Sequence, residues 1–326
     1  MKRLNRLIAV AAAVATMSAP LASSAAAGET TQLRLVDLGT LGGQFSQARA
    51  LNDRGEIVGI SSTGSATHGF LWRDGRMSDL GTLGGDFSAA TDINNRGDVV
   101  GYSTTADGDS HAFLWRDGRM SDLGTLGGEG YTSIAMAIND WGDIVGDNYG
   151  PVGVRAFLWR EGRMSALGML DGAEASSANG INNRGDIVGL SFGGGVATAV
   201  RWRDGHAIRV GDNEVVTAIN DRGWMTCGPW NSFVSAWLRE SHGITPIEQP
   251  YGSSVIQAAG LNNLGAVVGF TDLGAFVWEG GRMSILPSLA GERTSAADIN
   301  DRGQIAGMRA ITPEGAYTHA VLWTRD

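Results

Sequence analysis

The chain is poor in the residues that usually crosslink a protein or anchor it in a membrane. It has a single cysteine, Cys227, among 326 residues, which excludes an internal disulfide. Lysine occurs only as Lys2, and there are only 7 prolines. The main apolar stretch runs from Leu7 to Met17 and is too short to cross a membrane as a helix. Stability must therefore come from packing, and no membrane span is predicted.

The first residues, 1–27, predict a secretory signal peptide. Lys2, Arg3 and Arg6 form a basic start, the apolar stretch follows, and three alanines at 25–27 suit a cleavage site. We therefore expect a secreted, extracellular mature chain, 28–326. Loss of the three cations takes the net charge from -9 to about -12, and so acidic a surface argues against nonspecific nucleic-acid binding.

Nearly all of the mature sequence repeats. The signature is Asn, then Asp or Asn, one variable residue and Gly, and it begins at Asn52, Asn94, Asn139, Asn182, Asn220, Asn262 and Asn300. The mature chain divided among these signatures leaves about 43 residues per unit, which is the length of a β-propeller blade. The sequence therefore predicts an all-β fold, a single seven-bladed β-propeller with four antiparallel strands per blade.

The second unit, Ser88 to Leu123, shows how one blade is built. A run of small residues leads into the turn at 94–97, where Asn caps the turn and Gly97 supplies a positive φ. A second strand follows over 98–102 and a third over 111–115, before Asp117-Gly118 predicts a tight hairpin into the fourth. Four strands that meander within one unit are the expected result.

The two ends of the chain predict how the ring closes. Residues 32–38 match the fourth strand of a unit but precede the first complete repeat, while the seventh unit stops after its third strand. Pairing of 32–38 with 316–323 would complete the last blade and remove an open sheet edge at the seam.

The third strand carries the residues of a family resemblance. His68-Gly69-Phe70 and His111-Ala112-Phe113 are each followed by Leu-Trp-Arg-Asp-Gly, and Asp-Leu-Gly-Thr-Leu-Gly-Gly stands at 37–43, 79–85 and 122–128. These segments resemble the HAF-repeat family of bacterial extracellular proteins, a β-propeller-like repeat family named for a His-Ala-Phe triplet. The resemblance covers essentially the whole mature chain and implies an exported repeat protein of unassigned activity. It transfers no active site.

Candidate ligand-binding residues follow if the small-residue run before each turn is the innermost strand. Its polar positions would then face or approach the axis, and they are Arg49, Asp92, Asn179, Thr217 and Asp298. Trp141 departs from the repeat at a turn tip, where an exposed ring can stack on a sugar or a partner. We predict these six residues as the ligand-binding set. The alternative is that the five polar side chains only solvate a water-filled channel.

We assign no catalytic, metal or cofactor motif. The His-Glu-x-x-His helix and the phosphate loop are absent from the sequence. His68, His111 and His319 recur at equivalent positions, which suits either a shared metal site or hydrogen bonds that hold a loop, and the spacing of blades favours the second. Cys227 is more typical of a small buried side chain than of a nucleophile. No catalytic residue, metal or cofactor is predicted.

The leading functional hypothesis is a secreted, monomeric, non-catalytic binding propeller that recognises an extracellular polysaccharide or protein. Two alternatives stay open. One is an extracellular lyase or hydrolase that acts on a polymer, which would require Arg49, Asp92 and Asp298 to come together. The other is a structural repeat protein of the cell surface.

Overall fold

The computed structural model describes residues 33–128, 130–289, 291–312 and 317–325, and within these ranges the fold is all-β with no helix. The predicted signal peptide lies outside the described residues, as do Gln32 and Ala316 at the edges of the predicted pairing. No helix in the described part of the chain is long and apolar enough to cross a membrane.

The described chain forms 28 strands. The first fourteen in chain order are β1 (Arg34–Asp37), β2 (Ser46–Leu51), β3 (Ile57–Ser62), β4 (Thr67–Arg73), β5 (Arg76–Asp79), β6 (Gly84–Ile93), β7 (Val99–Thr105), β8 (Ser110–Arg116), β9 (Arg119–Asp122), β10 (Thr132–Ile138), β11 (Ile144–Gly150), β12 (Gly153–Arg160), β13 (Arg163–Ala166) and β14 (Ala175–Ile181). The remaining fourteen are β15 (Ile187–Gly193), β16 (Val196–Arg203), β17 (His206–Asp212), β18 (Glu214–Ile219), β19 (Met225–Pro229), β20 (Ala236–Glu240), β21 (Gly243–Ile247), β22 (Ile256–Leu261), β23 (Val267–Thr271), β24 (Gly274–Glu279), β25 (Arg282–Ile285), β26 (Thr294–Ile299), β27 (Ile305–Ala310) and β28 (Thr318–Thr324).

These strands form antiparallel meanders of four. The strands β10–β13, β14–β17, β18–β21 and β22–β25 each make one sheet in chain order, and β26–β28 are completed by β1. The strands β2–β5 and β6–β9 are two further meanders, which one parallel pair, Thr67 with Phe87, joins into an eight-stranded sheet. We call the meanders units one to seven, in the order of their Asn turns.

The first turn of each unit is built by its asparagine. In unit one the side-chain oxygen of Asn52 accepts the backbone N–H groups of Arg54 and Glu56, each at 3.0 Å, which closes the turn between β2 and β3. The second hairpin uses Asp74-Gly75, whose φ angles of 54° and 77° are those of a tight turn that matches strand twist. Local turn chemistry therefore produces the meander.

The His-Ala-Phe triplet of the third strand has three separate tasks. In unit two the His111 imidazole bonds the Asp122 carboxylate of the fourth strand at 2.8 Å. The Ala112 N–H donates to the Ser133 hydroxyl of the next unit at 2.8 Å, and that hydroxyl donates to the carbonyl of Gly124. Phe113 is completely buried between units. The triplet thus binds its own outer strand, its neighbour and the core.

Large side chains of the third strand fill the space between units unevenly. Phe70, Phe113, Phe157 and Phe276 are fully buried. A tryptophan recurs two residues after the phenylalanine position, and its repetition in the sequence predicts a packing anchor. These tryptophans divide into two groups: Trp202, Trp278 and Trp323 are buried, and Trp72, Trp115 and Trp159 are half-buried. The phenylalanine is the more regular anchor because its side chain points into the interface between sheets.

The chain ends meet in one sheet. Strand β1 lies antiparallel to β28, with Arg34 opposite Thr324 and Asp37 opposite Val321. The Asp37 carboxylate accepts from Arg309 at 2.6 Å and contacts the His319 imidazole at 2.9 Å. Burial alone would raise the pKa of Asp37, but these partners outweigh it and hold the pKa below its usual value.

The fifth unit corrects one detail of the repeat alignment. In the other units an apolar pair precedes a glycine in the second strand, and for the fifth unit this pattern predicts Gly228, one residue later, as the counterpart. The register instead places Cys227 opposite Val216 and Trp237, as Gly101 lies opposite Ala90 and Phe113. Cys227 therefore stands at the glycine position without a slip. It is 1% exposed, and burial raises its thiol pKa to about 12, so it is a packed side chain.

Candidate functional site

All seven Asn turns converge on one cavity of ≈ 160 Å³. Each unit contributes the last residue of its first strand, the signature asparagine and the residue after it. In unit three these are Ile138, Asn139 and Asp140. The cavity is therefore a shared surface, and no single unit could form it.

The signature asparagines join consecutive units in a closed circle. Each side-chain NH₂ donates to the backbone carbonyl of the next signature asparagine, at 2.9–3.2 Å, and the circle closes where Asn300 donates to Asn52. All seven asparagines are buried. One residue thus shapes its own turn with its oxygen and binds the neighbouring unit with its nitrogen.

The second position of the signature forms a second ring at the cavity mouth. Around the ring the residues are Asp53, Asn95, Asp140, Asn183, Asp221, Asn263 and Asp301. Each backbone N–H donates to the side chain of the next member at 2.7–2.9 Å. The NH₂ of Asn183 also donates to the carboxylates of both neighbours, at 3.0 and 3.1 Å, and the other two asparagines do the same.

Alternation of Asp and Asn cannot be completed with an odd number of members. At the seam Asp301 is followed directly by Asp53, and the Asp301 N–H donates to Asp53 at 2.9 Å. No amide side chain stands between these two carboxylates. The mouth therefore carries four carboxylates and three amides, with one like-charged neighbour pair.

The third position of the signature covers the adjoining turn. Arg54 lies over Gly97 of unit two and binds Glu56. In unit three Trp141 replaces the arginine, and its indole N–H donates to the carbonyl of Asn183 at 2.8 Å. The side chain remains 74% exposed, so the ring is a fixed aromatic platform beside the cavity.

Three of the predicted polar residues occupy one equivalent position of the first strand, and none of the three is among the residues that line the cavity. Arg49, Asn179 and Thr217 are the bulged residues of their first strands, which the second strand skips in its pairing. All three are half-buried. Asn179 donates to the carbonyl of Val216 in the next unit at 2.9 Å, and Thr217 bonds the Thr226 hydroxyl at 2.7 Å.

The other two, Asp92 and Asp298, stand one residue after the bulge and bind the neighbouring unit. Asp92 accepts the N–H of Ile93 and of Ile138, both at 2.8 Å. Asp298 accepts the N–H of Ile299 at 2.8 Å and of Leu51 at 3.1 Å. Burial raises the pKa of both carboxyls to about 7, and the charge of Asp298 contributes to the shift at Asp92.

The enzyme alternative required Arg49, Asp92 and Asp298 to come together. Among the described residues no hydrogen bond or ion pair joins Arg49 to Asp92 or Asp298. These contacts therefore give the lyase or hydrolase alternative no support.

A buried carboxyl that sequence reasoning missed lies between units three and four. Asp147 accepts the Ser177 hydroxyl at 2.9 Å and the Ala178 N–H at 3.1 Å. Burial raises its pKa to about 7. The sequence could have indicated this carboxyl, because Asp147 is an acid at a second-strand position where unit four, for example, has the apolar Leu190.

The three recurrent histidines each bind an aspartate of the outer strand. His68 pairs with Asp79, as His111 pairs with Asp122, at 2.8 Å. The same Asp79 accepts the N–H of Gly81 at 2.7 Å, which holds the linker to the next unit. Among the residues that the structure describes, no group of three or more His, Cys, Asp or Glu side chains is placed to share a metal ion.

Known structures resemble this chain in fold. YCF48 bound to D1 peptide matches at a TM-score of 0.57 and 10% identity, over 93% of this chain and 98% of that one. The β-propeller domain of the Trilobed protease from Pyrococcus furiosus, which has an open velcro topology, matches at 0.55 and 10% identity, over 87% and 97%. The fold is a β-propeller.

TolB from Acinetobacter baumannii matches at a TM-score of 0.44 and 11% identity over 63% of this chain, which spans 55% of that protein. No family model matches the sequence, and no curated protein does either. At these identities the likeness extends to the fold alone.

Proposed function

We propose that this protein is a secreted, non-catalytic binding module, a single seven-bladed β-propeller over 28–326 behind a signal peptide at 1–27. The mouth of the axial cavity recognises an extracellular polysaccharide or protein. The seven meanders, the closed circle of asparagines and the pairing of β1 with β28 support the ring. Membership of the HAF-repeat family and a monomeric state belong to the same proposal.

The observation that carries the binding proposal is the setting of Trp141. Its indole N–H is already bonded, and the residue is 74% exposed beside a ring of hydrogen-bonding oxygens and amides. A flat apolar face next to polar groups is the usual arrangement for stacking on a sugar ring or an aromatic side chain. Holding the ring in place also lowers the entropy lost on binding.

A protein ligand is the second class, and one comparison favours it. YCF48, of similar fold, has been captured with a D1 peptide. Rigid propeller scaffolds with variable loops suit either ligand, because the loops supply the specificity and the scaffold supplies the rigidity.

The test is a screen of the mature protein against immobilised glycans and secreted peptides, repeated with Trp141→Ala. We expect a ligand that is bound without turnover and whose affinity falls about tenfold or more in the variant, the equivalent of about 1.4 kcal/mol. Tyr251→Ala is the control, because Tyr251 is fully exposed in the β21–β22 connection, at the other end of the meander. Equal losses in both variants, or no ligand in the screen, would overturn the proposal.

A further inference from the structure

The floor of the cavity contains backbone N–H groups whose acceptors differ from unit to unit. In every unit the signature asparagine donates its backbone N–H across the first hairpin, for example Asn182 to Asp186 at 3.1 Å. In an antiparallel ladder the residue before such a pair directs its N–H away from the partner strand. The N–H groups of Ile181, Ile219 and Leu261 therefore point away from β15, β19 and β23. Because β14, β18 and β22 are edge strands of their sheets, these groups face the channel.

Four of the seven equivalent N–H groups are satisfied by carboxylates of the protein itself. Asp92 bridges Ile93 and Ile138, and Asp298 bridges Ile299 and Leu51. In each of these two carboxyls one oxygen accepts from its own strand and the other oxygen accepts from the adjoining unit.

The other three N–H groups form one continuous arc over units four, five and six. They belong to Ile181, Ile219 and Leu261, all of which line the cavity. Among the described residues no side chain accepts a hydrogen bond from any of the three. The position that Asp92 holds in unit two is Gly180 in unit four and Ala218 in unit five.

The space at Gly180 suits an acceptor. A Cβ at Gly180 would lie 3.8 Å from the backbone nitrogen of Ile219, with a methyl group of Ile219 at 3.3 Å as its nearest contact. Gly260 differs, because a Cβ there would lie 2.7 Å from the Cα of Asp298. The open arc is therefore accessible from the unit-four side.

The charges around the three N–H groups favour an uncharged oxygen of the ligand over an anionic one. Asp140, Asp221 and Asp301 line the same cavity. The protein's own carboxyls at the equivalent positions have their pKa raised to about 7, mainly by burial, and the charges of Asp140 and Asp53 at the mouth add to the shift, so an anion beneath the mouth is repelled by these carboxylates. The carboxylates above the arc are hydrogen-bond acceptors, which suits a ligand group that also donates.

We propose that the N–H groups of Ile181, Ile219 and Leu261 form an acceptor-binding subsite that takes uncharged oxygens of an acetamido sugar, one of which is the carbonyl oxygen of the acetamido group. The amide N–H of the same group then faces the carboxylates of the mouth. This inference rests on the proposed function and names the class of glycan that the cavity binds, namely one that contains acetamido sugars.

The experiment is an amide ¹H–¹⁵N titration of the mature protein with N-acetylglucosamine, with glucose and acetate as separate probes. We expect concentration-dependent shifts at Ile181, Ile219 and Leu261 with N-acetylglucosamine, and no comparable shift at Ile93 or Ile138. Acetate binding at pH 8 as tight as that of the sugar would show an anion site and overturn the proposal. Shifts confined to other amides, or the absence of any shift, would overturn it as well.

Gly180→Asp supplies the matched variant, since it copies Asp92 into unit four. Its carboxyl should bridge Ile181 and Ile219 and weaken N-acetylglucosamine binding about tenfold or more. Gly180→Ala adds a Cβ at the same place without an acceptor, so the larger loss in Gly180→Asp measures the effect of the carboxyl beyond that of volume. Should Gly180→Asp not fold, Asp92→Ala provides a second measurement, because it frees Ile93 and Ile138 to shift with the sugar. Unchanged affinity in Gly180→Asp, or silent amides in Asp92→Ala, would contradict the subsite.

Failure of this subsite and failure of the proposed function are distinguishable. A glycan whose binding depends on Trp141 but leaves the three amides unshifted removes the subsite and keeps the function. A surface that binds neither glycans nor peptides removes both.

Discussion

At the residue scale, single side chains in this protein often serve two units at once. Asn52 closes its own turn with one atom and binds the carbonyl of Asn94 with another. Asp92 accepts from its own strand and from the next unit. A substitution at such a position removes a turn contact and an inter-unit contact together, so its cost exceeds that of an ordinary surface change.

Asp147 tests the direction in which a buried carboxyl with a raised pKa changes the stability of the protein with pH. Its pKa rises from 3.8 to about 7 on folding, so the folded state holds the proton more tightly than the unfolded state. The free energy of unfolding is therefore highest at low pH as far as this group is concerned, and it falls as the pH rises from about 4 to about 7. Asp147→Asn keeps an acceptor for Ala178 and removes the charge. We expect the variant to be more stable than the native protein by about 1–3 kcal/mol at pH 8, and similar to it at pH 4.5, in urea denaturation.

The control for Asp147 is Asp186, a carboxyl whose pKa is shifted in the opposite direction. Burial alone would raise the pKa of Asp186, but hydrogen bonds from Arg201 and Asn182 outweigh it and lower the pKa. Asp186→Asn should therefore lose stability at pH 8 and less of it in acid. A lower stability of Asp147→Asn at pH 8 would contradict the reasoning.

At the scale of the elements, the sheets are joined by rings of turns as well as by buried faces. The alternation of Asp and Asn at the mouth explains why each amide can bind two carboxylates, as Asn183 binds Asp140 and Asp221. The turn is thus an element whose partners are the turns on either side. Its sequence is constrained by the neighbours around the ring.

Two opposite substitutions in this ring test the alternation. Asn183→Asp would place three carboxylates side by side and should lower the melting temperature, with partial recovery in 0.5 M salt as the repulsion is screened. Asp301→Asn would place an amide beside Asp53 and separate the like-charged pair of the seam. We expect the second variant to melt at the native temperature or above it, and most clearly at low salt. A drop for Asp301→Asn as large as that for Asn183→Asp would show that charge alternation does not govern the ring.

At the scale of the whole molecule, closure depends on a short strand from the beginning of the described chain. Strand β1 pairs with β28 along four residues, and Asp37 links it to Arg309 and His319. Without β1, the N–H and C=O groups of β28 would form an open edge, which favours pairing with other chains. The seam is therefore where the ring is most easily opened.

Deletion of residues 1–38 tests the seam directly. We expect the shortened chain to unfold at a lower temperature and to associate through β28, as measured by calorimetry and size-exclusion chromatography with light scattering. A chain that begins at Gly28 keeps β1 and is the control. Monomeric, cooperatively folding protein of native stability after the deletion would contradict a closing role for β1.

Much of this architecture could be predicted from sequence, because turns are local. Asn94 and Gly97 determine a turn through their own backbone and side chain, and the tight Asp117-Gly118 hairpin is equally local, so the strand pattern follows from short segments. The sequence also predicted that the two ends pair, because a fourth-strand segment precedes the first repeat and the seventh unit lacks its fourth strand. The sequence did not show that Cys227 takes the place of the second-strand glycine, because the short strand can be aligned with the other units in two registers one residue apart. Only the pairing with the neighbouring strands decides between the two.

The candidate site was only partly predictable. Trp141 was found because it departs from the repeat, and Arg49, Asn179 and Thr217 because they are polar in a run of small residues. Their periodicity gave no hint that Asp92 and Asp298 lie one position later and bind the next unit, since a bulge shifts which face a residue takes.

The sequence by itself determined the number of turns, the meander within each unit and the alternation of Asp and Asn, because each depends on neighbours within about 43 residues along the chain. Only the tertiary structure decided which N–H groups near the axis have a carboxylate acceptor and where two carboxylates meet. Those features depend on contacts between units, and the spacing of residues along the chain does not predict such contacts.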